Sequence, residues 1–105
     1  MTEAEWLTLL MEYALLQRWR VTHFRPAWTA RGWQTPIQGH RGFPDLVCVR
    51  PPRIEFIELK TRTGRLSPEQ KQWIEDLEGC YPRNPFIGVR VWTPDDWDSA
   101  RYVLR

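Results

Sequence analysis

The chain has 105 residues, 42% hydrophobic and 27% charged, with a net charge of +2. These proportions exclude a disordered chain, and the length is read as one domain over residues 1–105. No apolar run nears the ~20 residues of a membrane span, and Met1-Thr2-Glu3-Ala4-Glu5 is too acidic for a signal or transit peptide. Cys48 and Cys80 are too few for a disulfide scaffold, so a cytoplasmic setting is expected. The charge is unevenly spread. Residues 1–16 hold three acids and no base, residues 17–65 hold ten Lys/Arg against three acids, and residues 66–105 hold five bases and seven acids. A basic middle in a near-neutral chain suits a surface that faces a polyanion, or simply a solvated arginine face.

Thr2 and Glu5 form a capping box that opens a helix reaching Leu16. Its apolar arc (Trp6, Leu7, Leu9, Leu10, Met11, Tyr13, Leu15 and Leu16) is too wide for one packing surface, which suggests burial against a second chain or within a layered core. Trp19 to Phe24 reads as a strand. Residues 25–43 contain Pro26, Gly32, Pro36, Gly39 and Gly42, show no period, and read as a long loop. Leu46 to Val49 is a central strand, Arg50-Pro51-Pro52-Arg53 a turn, and Ile54 to Lys60 an antiparallel return strand. Thr61 to Leu66 is a basic loop. Ser67, Pro68 and Gln70 cap a second helix expected to end at Gly79. Phe86 to Trp92 is a further strand, and Thr93-Pro94 starts a last short helix. The order αβββαβα describes an α/β domain with a central mixed sheet flanked by helices.

Two strings carry chemistry: Gly42-Phe43-Pro44-Asp45 and Glu58-Leu59-Lys60. Side chains alternate along a strand, so Glu58 and Lys60 share a face. A hairpin centred near Pro52 sets position 45 opposite about position 59, which brings Asp45 within one residue of Glu58. Two carboxylates with the Leu59 carbonyl can hold a hard cation such as Mg²⁺ in oxygen coordination, and such an ion activates a phosphodiester and water. Lys60 can position or deprotonate that water and stabilise charge on phosphorus. Each string alone also has a plain reading, a surface ion pair or a turn aspartate. Glu58, however, shares its face with Phe56, which an idle surface glutamate would avoid.

Pro44-Asp45 followed by Glu58-x-Lys60 resembles the PD-(D/E)xK nuclease superfamily. Gly42-Phe43-Pro44-Asp45-Leu46, Phe56-Ile57-Glu58-Leu59-Lys60, Leu66-Ser67-Pro68-Glu69-Gln70-x-x-Trp73 and Val91-Trp92-x-Pro94-x-x-Trp97 resemble, more narrowly, the stand-alone phage form of the VRR-NUC (virus-type replication-repair nuclease) domain. The resemblance implies a restriction-endonuclease-like fold and Mg²⁺- or Mn²⁺-dependent hydrolysis of DNA without a small-molecule cofactor. Asp45 and Glu58 match the metal-ligand acids, Lys60 the catalytic lysine and Gln70 the helix glutamine beside the site. Glu5 matches a first-helix glutamate that often joins it. Stand-alone relatives are similar to Holliday-junction resolvases and tend to be homodimers, so branched DNA is the expected substrate. A nickase, an RNA-acting nuclease and a non-catalytic DNA-binding module of the same fold are the alternatives. The chain departs from the family pattern in its longer 25–43 link and in the proline-rich Cys80 to Pro85 segment.

Arg25, Arg31, His40, Arg41, Arg62 and Arg65 are the candidate nucleic-acid contacts, with His40 beside Arg41 suited to phosphate. Trp28 and Trp33, set among arginines, suit either stacking on unpaired bases or packing within their own loop.

Overall fold

The computed structural model describes residues 1–24, 27–34 and 38–105, with backbone only at 27–29, 33 and 34. In chain order the elements are α1 (Glu3–Leu16), β1 (Arg20–His23), β2 (Ala27–Thr29), β3 (Gly32–Gln34), β4 (Leu46–Arg50), β5 (Arg53–Leu59), α2 (Pro68–Cys80), β6 (Ile87–Trp92) and α3 (Trp97–Leu104). The four-stranded sheet runs β1-β4-β5-β6, antiparallel except for the parallel β5/β6 pair, and β2/β3 form a separate hairpin. This is the expected mixed sheet with flanking helices. No helix among the described residues is long and apolar enough to cross a membrane.

Helix α1 buries Trp6, Leu10 and Ala14, spaced four apart on one face, against Leu46, Cys48, Ile57 and Leu59 of the sheet and Ala100 and Leu104 of α3. Part of its wide apolar arc is therefore used within the chain. Tyr13 packs edge-on to Trp97 at 5.4 Å, while Leu15 and Leu16 stay 56% and 76% exposed. The helix closes with Arg18 in the left-handed region (φ 68°). Trp19 N–H donates to the Ala14 carbonyl and Arg18 N–H to the Leu15 carbonyl, the paired bonds of a Schellman ending. Trp19 is thereby turned into the core, where its indole N–H donates to the Leu104 carbonyl at 2.8 Å.

Arg50 and Arg53 stack on the Trp19 ring at 4.4 and 4.9 Å. Arg50 donates to the Arg105 carbonyl and Arg53 to the Val103 carbonyl, so these cations take up the terminal carbonyls of α3. Buried Glu55 pairs with Arg90 at 3.1 Å and Arg53 at 3.6 Å. Its carboxylate lies where a side chain on Gly88 would begin, which explains the glycine in mid-strand. Burial, then the Glu55 charge, pushes the Cys48 thiol up to about 12, which keeps it an inert core group.

Two expectations are corrected. The 25–43 segment is not without structure: Thr29 pairs with Gly32 across Ala30-Arg31, a hairpin whose three-residue strands are too short to show alternation. Helix α2 does not stop at Gly79. It runs through Gly79 to Cys80 and tightens into a 3-10 turn over Tyr81–Arg83. Pro82 has no N–H to extend the helix, and Asn84 Nδ2 donates to the Cys80 carbonyl, so the stop is made without a left-handed glycine.

Candidate active site

Helix α2 lies across the sheet face opposite α1. Phe43 meets Trp73 of α2 edge-on at 5.0 Å and Phe56 of β5 at 6.0 Å. Phe56, Glu58 and Lys60 alternate with the core residues Ile57 and Leu59, so they share this second face.

The β4/β5 register pairs Leu46 with Ile57. Continued one residue, it sets Asp45 directly opposite Glu58, one residue from the partner position expected from sequence. Continued two residues, it sets Pro44 opposite Leu59. Ile54 and Lys60 donate their N–H groups toward β6, so the odd residues of β5 face β4. Pro44 has no N–H to offer the Leu59 carbonyl, while the Leu59 N–H donates to Asp45 Oδ2 at 2.8 Å. The Pro-Asp pair thus ends the ladder, frees a carbonyl on the Asp45 side and fixes the Asp45 carboxylate there.

Glu58 is 1% exposed. Its Oε2 accepts from Gln70 Nε2 at 3.0 Å and lies 3.4 Å from Lys60 Nζ. Gln70 serves cap and site together: Ser67 N–H donates to its Oε1 at 2.9 Å, which turns the amide's NH₂ end toward Glu58. Glu58 Oε1 is buried with no hydrogen-bond partner. Burial, then the neighbouring Asp45 charge, pushes the Glu58 carboxyl up to about 8, against the opposing pull of Lys60.

Gly42, at φ +92°, lets the preceding loop approach α2 closely. A side chain there would meet Gln70 N and the Glu69 carbonyl carbon at 2.7 Å.

A cleft of about 880 Å³ opens beside Asp45 and Leu59, walled by Glu3, Leu7 and Met11 of α1 and by Val21 to Phe24. Glu3, Leu7 and Met11 recur every four residues on one helix face. Glu5 sits about 200° around the helix from Glu3 and does not line the cleft. Its exposed carboxylate closes the capping box on Thr2, whose backbone N–H, and then hydroxyl, hold it below its ordinary pKa. Glu5, expected beside the site, thus lies away from this cleft, and Glu3 is the α1 carboxylate on its wall. The i, i+4 spacing from Glu3 to Leu7 and Met11 was the available signal.

Of the candidate nucleic-acid contacts, His40 and Arg41 are exposed and line a smaller cavity against α2. Arg62 pairs with Asp95 at 2.9 Å, both exposed. Arg65 and Arg31 are exposed, while Arg25 and the Trp28 and Trp33 side chains lie outside the described residues.

The VRR-NUC domain model matches residues 7–91, which span both acids, the lysine and α2. The chain belongs to the VRR-NUC family. That family has the restriction-endonuclease-like fold, in agreement with the mixed sheet and three helices here, and the domain is of nuclease type. No curated protein matches the chain.

VRR-NUC nucleases are usually metal-dependent. Among the described residues no group of three or more His, Cys, Asp or Glu gathers as a cation site. The available donor set is the Asp45 and Glu58 carboxylates with the Leu59 carbonyl. It fits a hard cation: all donors are oxygen, one buried carboxylate oxygen lacks any donor, and two acids side by side hold a charge that burial disfavours.

Proposed function

We propose that this VRR-NUC chain is an endonuclease that hydrolyses phosphodiester bonds in branched DNA with Mg²⁺ or Mn²⁺, and that it works as a homodimer. The observation that carries the reading is Glu58 Oε1, buried and unpartnered, with its carboxyl beside that of Asp45, which itself lines an open cleft. Asp45, Glu58 and the Leu59 carbonyl would hold the cation, with Glu3 as the first-helix carboxylate. Bound there, the cation supplies Lewis-acid activation of the phosphodiester and of water.

The chain's own groups do the rest. Gln70, locked by Ser67, and Lys60 both engage Glu58 Oε2, which leaves Oε1 without a partner and available to a cation. Lys60, only 17% exposed, brings a poorly solvated ammonium to the place where charge develops on phosphorus, and there its interaction is stronger than in water. Arg31, His40, Arg41, Arg62 and Arg65 provide phosphate contacts. Two paired incisions on a four-way junction need two sites, which a two-fold dimer supplies, and exposed Leu15 and Leu16 on α1 offer it an apolar surface.

The test is incubation with supercoiled plasmid, a flap and a four-way junction, each with EDTA, Mg²⁺ or Mn²⁺. Cation-dependent cuts on the flap or junction, in excess of linear duplex, are expected. Equal cutting of every substrate would refute structure selectivity. DNA binding without any cut would favour the non-catalytic module, and preferred cutting of RNA the RNA-acting nuclease.

A further inference from the structure

A second cavity, of about 460 Å³, lies between α2 and the loop before Gly42. Its walls are Glu69, Gln72, Trp73 and Asp76 on one side and His40 and Arg41 on the other. The helix residues fall at i, i+3, i+4 and i+7, a single face of α2. Gln70, the partner of Glu58, is the next residue after Glu69, so the cavity begins one helix position from the active site.

The indole of Trp73 is fixed. Its N–H donates to the His40 carbonyl at 3.3 Å, and Phe43 meets it edge-on at 5.0 Å. The rest of the half-buried ring faces the cavity. Gln72 Nε2 holds one oxygen of Asp76 at 3.0 Å, and the second Asp76 oxygen and the Glu69 carboxylate offer acceptors. The cavity thus combines an aromatic wall, two carboxylates and one amide at its α2 side, and a guanidinium at its rim.

We infer that this cavity takes one unpaired nucleobase of the DNA strand that runs into the Asp45/Glu58 site. The inference rests on the nuclease reading above. The chemistry selects a base over a phosphate: carboxylates repel phosphate but accept hydrogen bonds from the amino groups of cytosine, adenine or guanine. The phosphate of the same nucleotide then lies at Arg41, inside the basic stretch of the chain. A paired base cannot enter, because its edge is occupied and its faces are stacked. Base–aromatic contact at Trp73 supplies the sequence-tolerant part of the affinity, and the carboxylates disfavour thymine, whose single edge donor, N3–H, is flanked by two carbonyl oxygens that they repel. The selected substrate is DNA with an unpaired nucleotide next to the cut, as at a flap or an open junction.

The experiment is an abasic scan. Duplexes with a single-stranded arm, each with one arm nucleotide made abasic, are titrated with wild-type protein in EDTA so that no strand is cut. One position should lower affinity about tenfold, the stacking magnitude for one base, with the others near unity. At that position thymine should bind more weakly than cytosine, and Asp76→Asn, on an exposed residue, should erase the difference. Trp73→Phe, which keeps the packing on Phe43, should retain most of the effect, and Gln72→Ala with Asp76→Ala, which strips the α2 side of the cavity, should reduce it without changing affinity for blunt duplex. A flat scan from a protein that still cuts DNA would overturn the base site and leave the nuclease reading intact. A positional effect from a protein that cuts nothing with any cation would leave the site standing and overturn the nuclease reading.

Discussion

Glu58→Gln replaces a buried carboxyl by an amide of nearly the same shape and should make the cation-free protein more stable at high pH. The Glu58 carboxyl is pushed from 4.5 up to about 8 by burial and by Asp45. Below pH 4.5 both folded and unfolded chains carry the proton. Between 4.5 and 8 the unfolded chain has lost it while the folded chain keeps it, so stability falls as pH rises, and above 8 the loss levels off. At about 1.4 kcal/mol per pH unit across that window, the loss attributable to Glu58 has an upper bound of about 5 kcal/mol. For a domain of this size each kcal/mol moves the melting temperature by about 4–8 °C. Melting curves of wild type and Glu58→Gln in EDTA should therefore agree within a few degrees at pH 4.5 and diverge by about 10 °C or more at pH 9, with the variant higher. Adding Mg²⁺ at pH 9 should raise the wild type and leave the variant unmoved, because only the ionised pair of acids binds the ion. A wild-type-minus-variant difference that stays flat from pH 4.5 to 9 would refute the assignment of a strained buried carboxyl.

Lys60→Ala should keep DNA affinity within a few fold but slow single-turnover cleavage by ~10²-fold or more, in line with loss of a transition-state charge stabiliser. Gly42→Ala combines a positive φ with a side chain that meets the first turn of α2, so it should cost about 1–3 kcal/mol in thermal melts and slow cleavage through a displaced Gln70; an unchanged melting temperature would refute that packing. Leu16→Glu, at a position 76% exposed, should leave the fold and melting temperature near wild type but convert a light-scattering dimer to a monomer that nicks a junction without paired cuts. A wild-type monomer that makes paired cuts would refute the dimer.

The sheet, the β4/β5 hairpin and the three helices were legible because each was marked by a run or a cap: Leu46 to Val49, the double proline, Ser67-Pro68 and Thr93-Pro94. Asp45, Glu58 and Lys60 were legible as a set through strand alternation and the hairpin, and Gln70 through the family resemblance, its capping box by itself marking only a helix start. The β2/β3 hairpin was not, since three-residue strands carry too little period. The end of α2 was missed because a glycine signals a stop only in the left-handed conformation, whereas Gly79 stays helical. Glu5 and Glu3 both sit in the first turn of α1 and differ only in which face they occupy. Glu5 was picked by its match to a first-helix glutamate of the family, whereas its capping box was the sign against it, since the box turns its carboxylate to Thr2 and away from the cleft.

The central claim is that Asp45 and Glu58 together make a cation-dependent phosphodiester cleavage site. Cleavage and binding of one branched DNA by wild type, Asp45→Asn and Glu58→Gln, at saturating Mg²⁺ and in EDTA, test it most directly. Cutting should be confined to wild type with cation, and both variants should bind the DNA as well as or better than wild type, because less negative charge faces phosphate. Undiminished cutting by Asp45→Asn, or by wild type in EDTA, would contradict the account.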